Sequence, residues 1–162
     1  GAQAYCHFTS PIRRYPDVLV HRALKALIAG RIEGKEMAAQ AAALPQLCRT
    51  CSERERAADA AGRASQKVKM AELFSSRVGE RYSGIVSGCG SFGVFVMLDE
   101  TCAEGLVPVR ALGDEWFSYD EARMTLTGEE SGETWGLGRR VAVEVTGVDV
   151  ARGQIDFAPA GR

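Results

Sequence analysis

The sequence predicts an α+β chain, helical in its first half and closing in its second as a small five-stranded β-barrel of the OB type. Three observations carry that prediction. Apolar residues recur at helical spacing as far as about Ser75. From Val78 onward the pattern changes to short runs rich in β-branched residues. Glycines and acidic turns then separate those runs at close, regular intervals. Two domains follow, at 1–77 and 78–160.

The first element to justify is the stretch HFTSPIRRYPDVLVHR, His7 to Arg22. Ser10 followed by Pro11 reads as a helix start, with the hydroxyl capping free amides and the ring pre-setting the first turn. Arg13 and Arg14 would then sit where positive charge opposes the helix dipole. Pro16, lacking an amide hydrogen, is expected to kink or restart the helix. Exposed amides, a positive dipole end and two guanidiniums suit an oxyanion, with phosphate as the leading candidate. A solvated surface pair is the plainer alternative.

Beyond Pro16, Val20, Leu24, Leu27 and Ile28 recur at helical spacing and predict one buried face, ended by Gly30 and Gly34. His21 reads as a packed or hydrogen-bonded structural residue. Residues 31–44 look like a connector with some helical content. An alanine-rich helix is predicted from Pro45 to about Ser75, with Leu47, Cys51, Ala58, Ala61, Val68 and Ala71 as a narrow small-residue face. The charge run Glu53, Arg54, Glu55, Arg56 lies in its middle, where a solvated face is the ordinary reading.

In the second half, ERYSGIVSG, FGVFVML, GLVPV, RVAVEVTGVDV and QIDFAP are the five strand-like segments. An insertion at about 111–138 separates the third from the fourth, and its EESGE core between MTLT and TWGL suits a hairpin. Single-stranded nucleic acid is held by stacking on exposed aromatics with cations beside them. Phe92 and Phe95 are the leading rings, with Tyr82, Arg110 and Arg139 as secondary candidates. Strict alternation would send Phe92 and Phe95 to opposite faces, which favours Phe92 for the binding face and leaves Phe95 open. Trp116, Phe117 and Tyr119 form an aromatic cluster, read as a local mini-core with a stacking platform as the alternative.

Size and charge bound the rest. The 162 residues have a net charge of −1, but residues 1–35 carry +4, residues 36–79 carry +2 and residues 80–162 carry −7. The basic end suits a polyanion and the acidic end does not. Five cysteines without a disulfide framework suggest a reducing, cytoplasmic setting, and the Cys48–Cys51 pair is a weak metal or redox signal. No membrane segment or secretory signal is read. The chain opens at Gly1 in mid-motif, and a piece of something longer is expected.

The His7–Arg22 stretch resembles the signature of the RNB family, the 3′-to-5′ exoribonucleases of ribonuclease R and ribonuclease II type. The resemblance implies that Arg13 contacts the RNA phosphate at the cleavage site with Arg14 close behind. CSERERAADA resembles the family's second landmark, which makes Glu55 the channel glutamate near the RNA 3′ end, with Glu53 as its neighbouring competitor. Residues 1–77 would be the helical C-terminal piece of an RNB domain. The second half resembles an S1-type RNA-binding domain, with Gly88–Val96 and Gly105–Val109 as landmarks and an insertion like that of ribonuclease R. One departure is Pro108, where S1-type domains usually carry a histidine, which removes a stacking ring.

What the resemblance implies is the C-terminal portion of an enzyme hydrolysing single-stranded RNA to nucleoside 5′-monophosphates. Arg13, Arg14 and Glu55 would be its catalytic-side residues. Mg2+ is implied for the full-length parent, held by upstream aspartates, with none bound by this chain, which alone is expected to be inactive. Single-stranded RNA and the upstream part of the same polypeptide are the implied partners, and a monomer is expected. A non-catalytic RNA-binding adaptor is the alternative, and a protein-binding barrel a third reading.

Overall fold

The computed structural model describes residues 3–31 and 33–161. Two compact units divide the chain, residues 1–62 and 63–162.

In the first unit the chain turns at 11–13 and enters helix α1, Tyr15–Ile28. Arg14, in extended conformation, is its N-cap residue, and Pro16 stands in the first turn. The expected start at Ser10 and the kink at Pro16 are therefore corrected. A ring that cannot donate an amide hydrogen is harmless in a first turn, so Pro16 opens the helix instead of breaking it. Leu24, Leu27 and Ile28 are exposed, so most of the face predicted as buried is open among the described residues.

Helix α2 runs from Lys35 to Phe74, ten residues earlier than expected, with Pro45 inside it. Alanine flanks Pro45 on the N-terminal side, and that propensity carries the helix through a residue that costs about 3 kcal/mol in an interior. Most of its predicted small-residue face is open upstream. Ala71 and Phe74, at its end in the second unit, are fully buried.

The second unit holds the core. Among the described residues every buried hydrophobic side chain lies between Ala71 and Phe157, each large one worth about 1.5–3 kcal/mol. Five strands close a barrel in the order β1 (Arg81–Gly90), β2 (Gly93–Leu98), β3 (Glu104–Pro108), β8 (Gln154–Pro159) and β7 (Arg140–Asp149). These are the five predicted segments, and the α+β class with an OB-type barrel holds. Alternation sends Val94, Val96 and Leu98 of β2 inward and Phe95 and Met97 outward. The closing pair, β3 with β8, is parallel and registers at Leu106 and Asp156; the other four barrel pairings are antiparallel.

β1 and β7 share a construction. Both run ten residues, with burial alternating alike over their first eight, and both shift register at a bulge ending on glycine: Val86/Gly88 in one, Val145/Gly147 in the other. Bulges sharpen the local twist, which a small closed barrel requires.

A short helix α3, Val109–Leu112, leads from β3 into the insertion. There β4 (Phe117–Asp120), β5 (Thr125–Gly128) and β6 (Thr134–Gly136) form a three-stranded antiparallel sheet. The hairpin around EESGE is present as β5–β6, and the aromatic segment FSYD adds a third strand to it. The Glu115 carboxylate accepts the Glu130 and Ser131 amides at 2.8 and 2.9 Å and so holds the hairpin turn.

Candidate nucleic-acid interface

The first unit presents a cleft of about 960 Å³ between the turn ahead of α1 and the middle of α2. His7, Arg13, Arg14 and Tyr15 line one side, and Cys51, Arg54, Glu55 and Asp59 line the other. Arg13, Arg14 and Glu55, far apart in sequence, thus share one cleft. Glu53 is not among its lining residues, so of the two competing glutamates Glu55 faces the cavity.

The two arginines differ. The Arg14 guanidinium donates through Nη2 to Oδ2 of Asp17 at 3.0 Å, and Asp17 is fully buried. Burial alone would push the Asp17 carboxyl up, but the Ser10 amide and the Arg14 guanidinium outweigh it and hold it below the usual carboxylate value. Among the described residues the neighbouring Arg13 side chain has no hydrogen-bond or ion-pair partner. Its amide, with that of Arg14, donates to the Ser10 carbonyl, at 3.3 and 3.0 Å. The anion that the dipole argument calls for is, for Arg14, supplied by the protein itself. Asp17 is the residue the sequence reading leaves out. Its signal is an acid in the first turn of a proline-opened helix, three positions after an arginine.

His21 donates through Nε2 to the Phe8 carbonyl at 2.8 Å, and its ring centroid lies 4.5 Å from that of the Phe8 ring. Both belong to the structure of the turn. Cys48 and Cys51 carry free thiols, and no group of three His, Cys, Asp or Glu side chains among the described residues could hold a metal ion. The described residues therefore offer no ligand set that fits a divalent metal.

In the barrel, Phe92 occupies the turn before β2 and is 56% exposed, while Phe95 is half-buried. Their rings meet at 5.8 Å between centroids with planes 76° apart, so both stand on the outer side of the sheet. The expected split to opposite faces is corrected: alternation starts only at Gly93, and Phe92 lies outside it. The Val109 amide donates to the Phe92 carbonyl at 2.9 Å, which brings exposed Arg110, the next residue, beside the same turn.

Tyr82 and Arg139 lie elsewhere. The Tyr82 hydroxyl donates to Glu80 and accepts from Arg77 at 3.4 Å, and its ring packs edge-on against Phe74. It stands six residues along β1 from Gly88, the partner of Phe95, which is about 20 Å of strand. The Arg139 guanidinium lies 4.0 Å over the Trp135 ring, pairs with Glu133 and donates to the Thr134 carbonyl at 2.6 Å. Both side chains already have structural partners. In the insertion Phe117 and Tyr119 pack on the core, the Tyr119 hydroxyl reaching the Cys89 carbonyl at 3.2 Å. Trp116, by contrast, is 82% exposed. Pro108 pairs with Gly93 at the end of β3.

Comparison with known proteins gives a match in each half of the chain. The S1 RNA binding domain family matches residues 75–158, and the RNB domain family matches residues 1–30. Ribonuclease R 1 of Lactococcus lactis subsp. lactis is 40% identical over 157 residues, covering 97% of this chain and 19% of its own length. Ribonuclease R of Thermotoga maritima is 38% identical over 159 residues, covering 97% of this chain and 22% of its own length. The solved apo form of Mycoplasma genitalium RNase R superposes with a TM-score of 0.89 at 26% identity, covering 96% of this chain and 24% of that one. The same enzyme in complex with ribose-methylated single-stranded RNA matches with the same score, identity and coverage. The chain spans about a fifth of the length of the curated relatives it matches. The chain belongs to the S1 RNA binding domain family, which residues 75–158 match, and carries ahead of it a match to the RNB domain family over residues 1–30.

Proposed function

We propose that this chain is the RNA-facing C-terminal portion of a 3′-to-5′ exoribonuclease that hydrolyses single-stranded RNA to nucleoside 5′-monophosphates. The observation that carries the reading is the Arg13 guanidinium, unpartnered among the described residues, in a cleft shared with Glu55. A planar guanidinium suits bidentate contact with phosphate and stabilises charge growing there during attack. The Glu55 carboxylate accepts hydrogen bonds only, so it suits a ribose hydroxyl at the 3′ end and disfavours a phosphate in its place.

Phe92, with Phe95 behind it and Arg110 alongside, is the stacking face of the barrel. Tyr82 and Arg139, already engaged with protein groups, serve packing in this reading. The divalent metal of the hydrolytic step, expected to be Mg2+, would be held by residues outside this chain. The uncovered face of α1 at Leu24, Leu27 and Ile28 supports a larger body around the first unit in the parent, formed by the upstream part of the same polypeptide. The parent is proposed to act as a monomer in the cytoplasm.

Fluorescently labelled single-stranded RNA provides the test. The chain is expected to bind it, Arg13→Ala and Phe92→Ala each to weaken binding about fivefold or more, and no shortened products to form with Mg2+. Binding unmoved by both substitutions would favour a protein-binding barrel. Products released by the chain alone would overturn its expected inactivity.

A further inference from the structure

The buried carboxylate of Asp17 lies beside the cleft without lining it, and its bonding pattern is that of a clamp. Its Oδ2 accepts the Ser10 amide at 2.7 Å and the Arg14 Nη2 at 3.0 Å, across seven and three residues of chain. The Ser10 carbonyl accepts the Arg13 and Arg14 amides, and the Asp17 amide donates to the Arg14 carbonyl at 3.2 Å. Residues 10–17 are thereby tied into one closed loop, and the Arg13 side chain is left out of it.

An acid in a first helical turn needs only to be near the surface to favour the dipole. Asp17 instead has no exposed surface and reaches back to the start of the turn. A buried ion pair is weak grounds for stability, because desolvation offsets much of the attraction. This pair is also incomplete: Arg14 Nε and Asp17 Oδ1 are both buried and, among the described residues, neither has a hydrogen-bond partner. An arrangement so poorly suited to stabilising the fold is better explained by the geometry that it imposes.

We propose that Asp17 is a positioning residue, which withdraws Arg14 from ligand contact and fixes the 10–14 turn so that Arg13 alone is offered to an RNA phosphate. The inference rests on the reading of Arg13 as the phosphate contact. Asp17 touches no substrate and acts through Arg13.

A double-mutant cycle on the full chain separates this role from mere support of the fold. Affinity for a labelled single-stranded oligoribonucleotide is measured for the native chain, Asp17→Asn, Arg13→Ala and the double variant, with the melting of the barrel followed in each. Asp17→Asn is expected to weaken binding about tenfold in the native background and by less than about twofold once Arg13 is gone. The barrel melts unchanged throughout. Because Asn puts an amide where the turn holds a carboxylate, a second variant replaces the whole pair with apolar residues, Arg14→Met with Asp17→Leu, which keeps the site filled without a buried charge. It too is expected to bind about tenfold more weakly.

Losses that multiply in the double variant, or native affinity in the apolar pair variant, would overturn the clamp while leaving Arg13 as the phosphate contact. An Arg13→Ala chain that binds like the native one would instead remove the underlying reading, and the clamp with it.

Discussion

Phe92 and Phe95 meet edge to face, 5.8 Å between ring centroids, although they stand three positions apart in a segment whose side chains alternate. The pairing arises because Phe92 belongs to the turn and Phe95 to β2. The inner ring holds the outer one upright, as edge-to-face pairs do. Base stacking on such a ring is worth about 1–3 kcal/mol. Phe92→Ala is therefore expected to weaken single-stranded RNA binding about 5- to 150-fold in a fluorescence anisotropy titration. Phe92→Trp should retain it.

Salt separates the two halves of the proposed interface. A guanidinium on a phosphate releases counterions, about 0.7 in logarithmic slope per contact on a single strand. Arg13→Ala should flatten the plot of log affinity against log salt by about that amount. Phe92→Ala should lower the line without tilting it. Equal slopes for native and Arg13→Ala chains would exclude a phosphate contact at this residue.

Gly93 makes the close approach that sets β2 against β3. A Cβ there would lie 2.2 Å from the Val107 carbonyl oxygen and 2.9 Å from the Pro108 Cα, both backbone atoms, and φ is +151°. Neither neighbour can give way without moving β3. Gly93→Ala is expected to cost about 2–4 kcal/mol, from strain and overpacking together. Thermal denaturation should show the barrel melting at least about 10 °C lower.

Tyr82 provides a pH signature. Its hydroxyl donates to the Glu80 carboxylate, and that bond, helped by burial and opposed by Arg77, raises the phenol above its ordinary value. A group whose folded value is raised contributes stability that is complete below its unfolded value, here near 10, and is lost as pH rises through the folded one. Native chain should lose melting temperature through the alkaline range above about pH 10 more steeply than Tyr82→Phe. Parallel curves for the two would show that the Glu80 bond adds nothing.

The barrel was legible because period-two alternation and glycine punctuation are local signals, and all five segments register as strands. β4 was hidden, since FSYD is a short half-buried strand whose aromatics read equally well as a cluster. Helix α2 was foreshortened at Pro45 because a proline ordinarily marks a boundary, and ten residues of alanine-rich sequence ahead of it decided otherwise. The start of α1 escapes local sequence signals for a related reason. Ser10–Pro11 is a good opening by itself, but the Asp17 carboxylate claims the Ser10 amide and shapes that segment as a turn.

At the interface, residue types were legible and partnerships were not. Arg13, Arg14 and Glu55 could be named from motifs, and their shared cleft depends on a fold the motifs do not specify. That Arg14 is taken by Asp17, and Arg139 by Trp135 and Glu133, follows from distances no spacing rule reports. Exposed Leu24, Leu27 and Ile28 show the converse limit: helical periodicity identifies an apolar face without saying whether this chain can cover it.

The matched bulges of β1 and β7 make each of these strands two short levers joined at a Ser–Gly or Thr–Gly elbow. Thr146 is the extra residue at one elbow: Val145 pairs with Phe157 and Gly147 with the adjacent Asp156, so removing Thr146 alone would straighten the strand while both halves keep their faces. What such a trim takes away is curvature, so the spare residue at each waist works as a built-in bend that lets ten residues wrap a narrow cylinder.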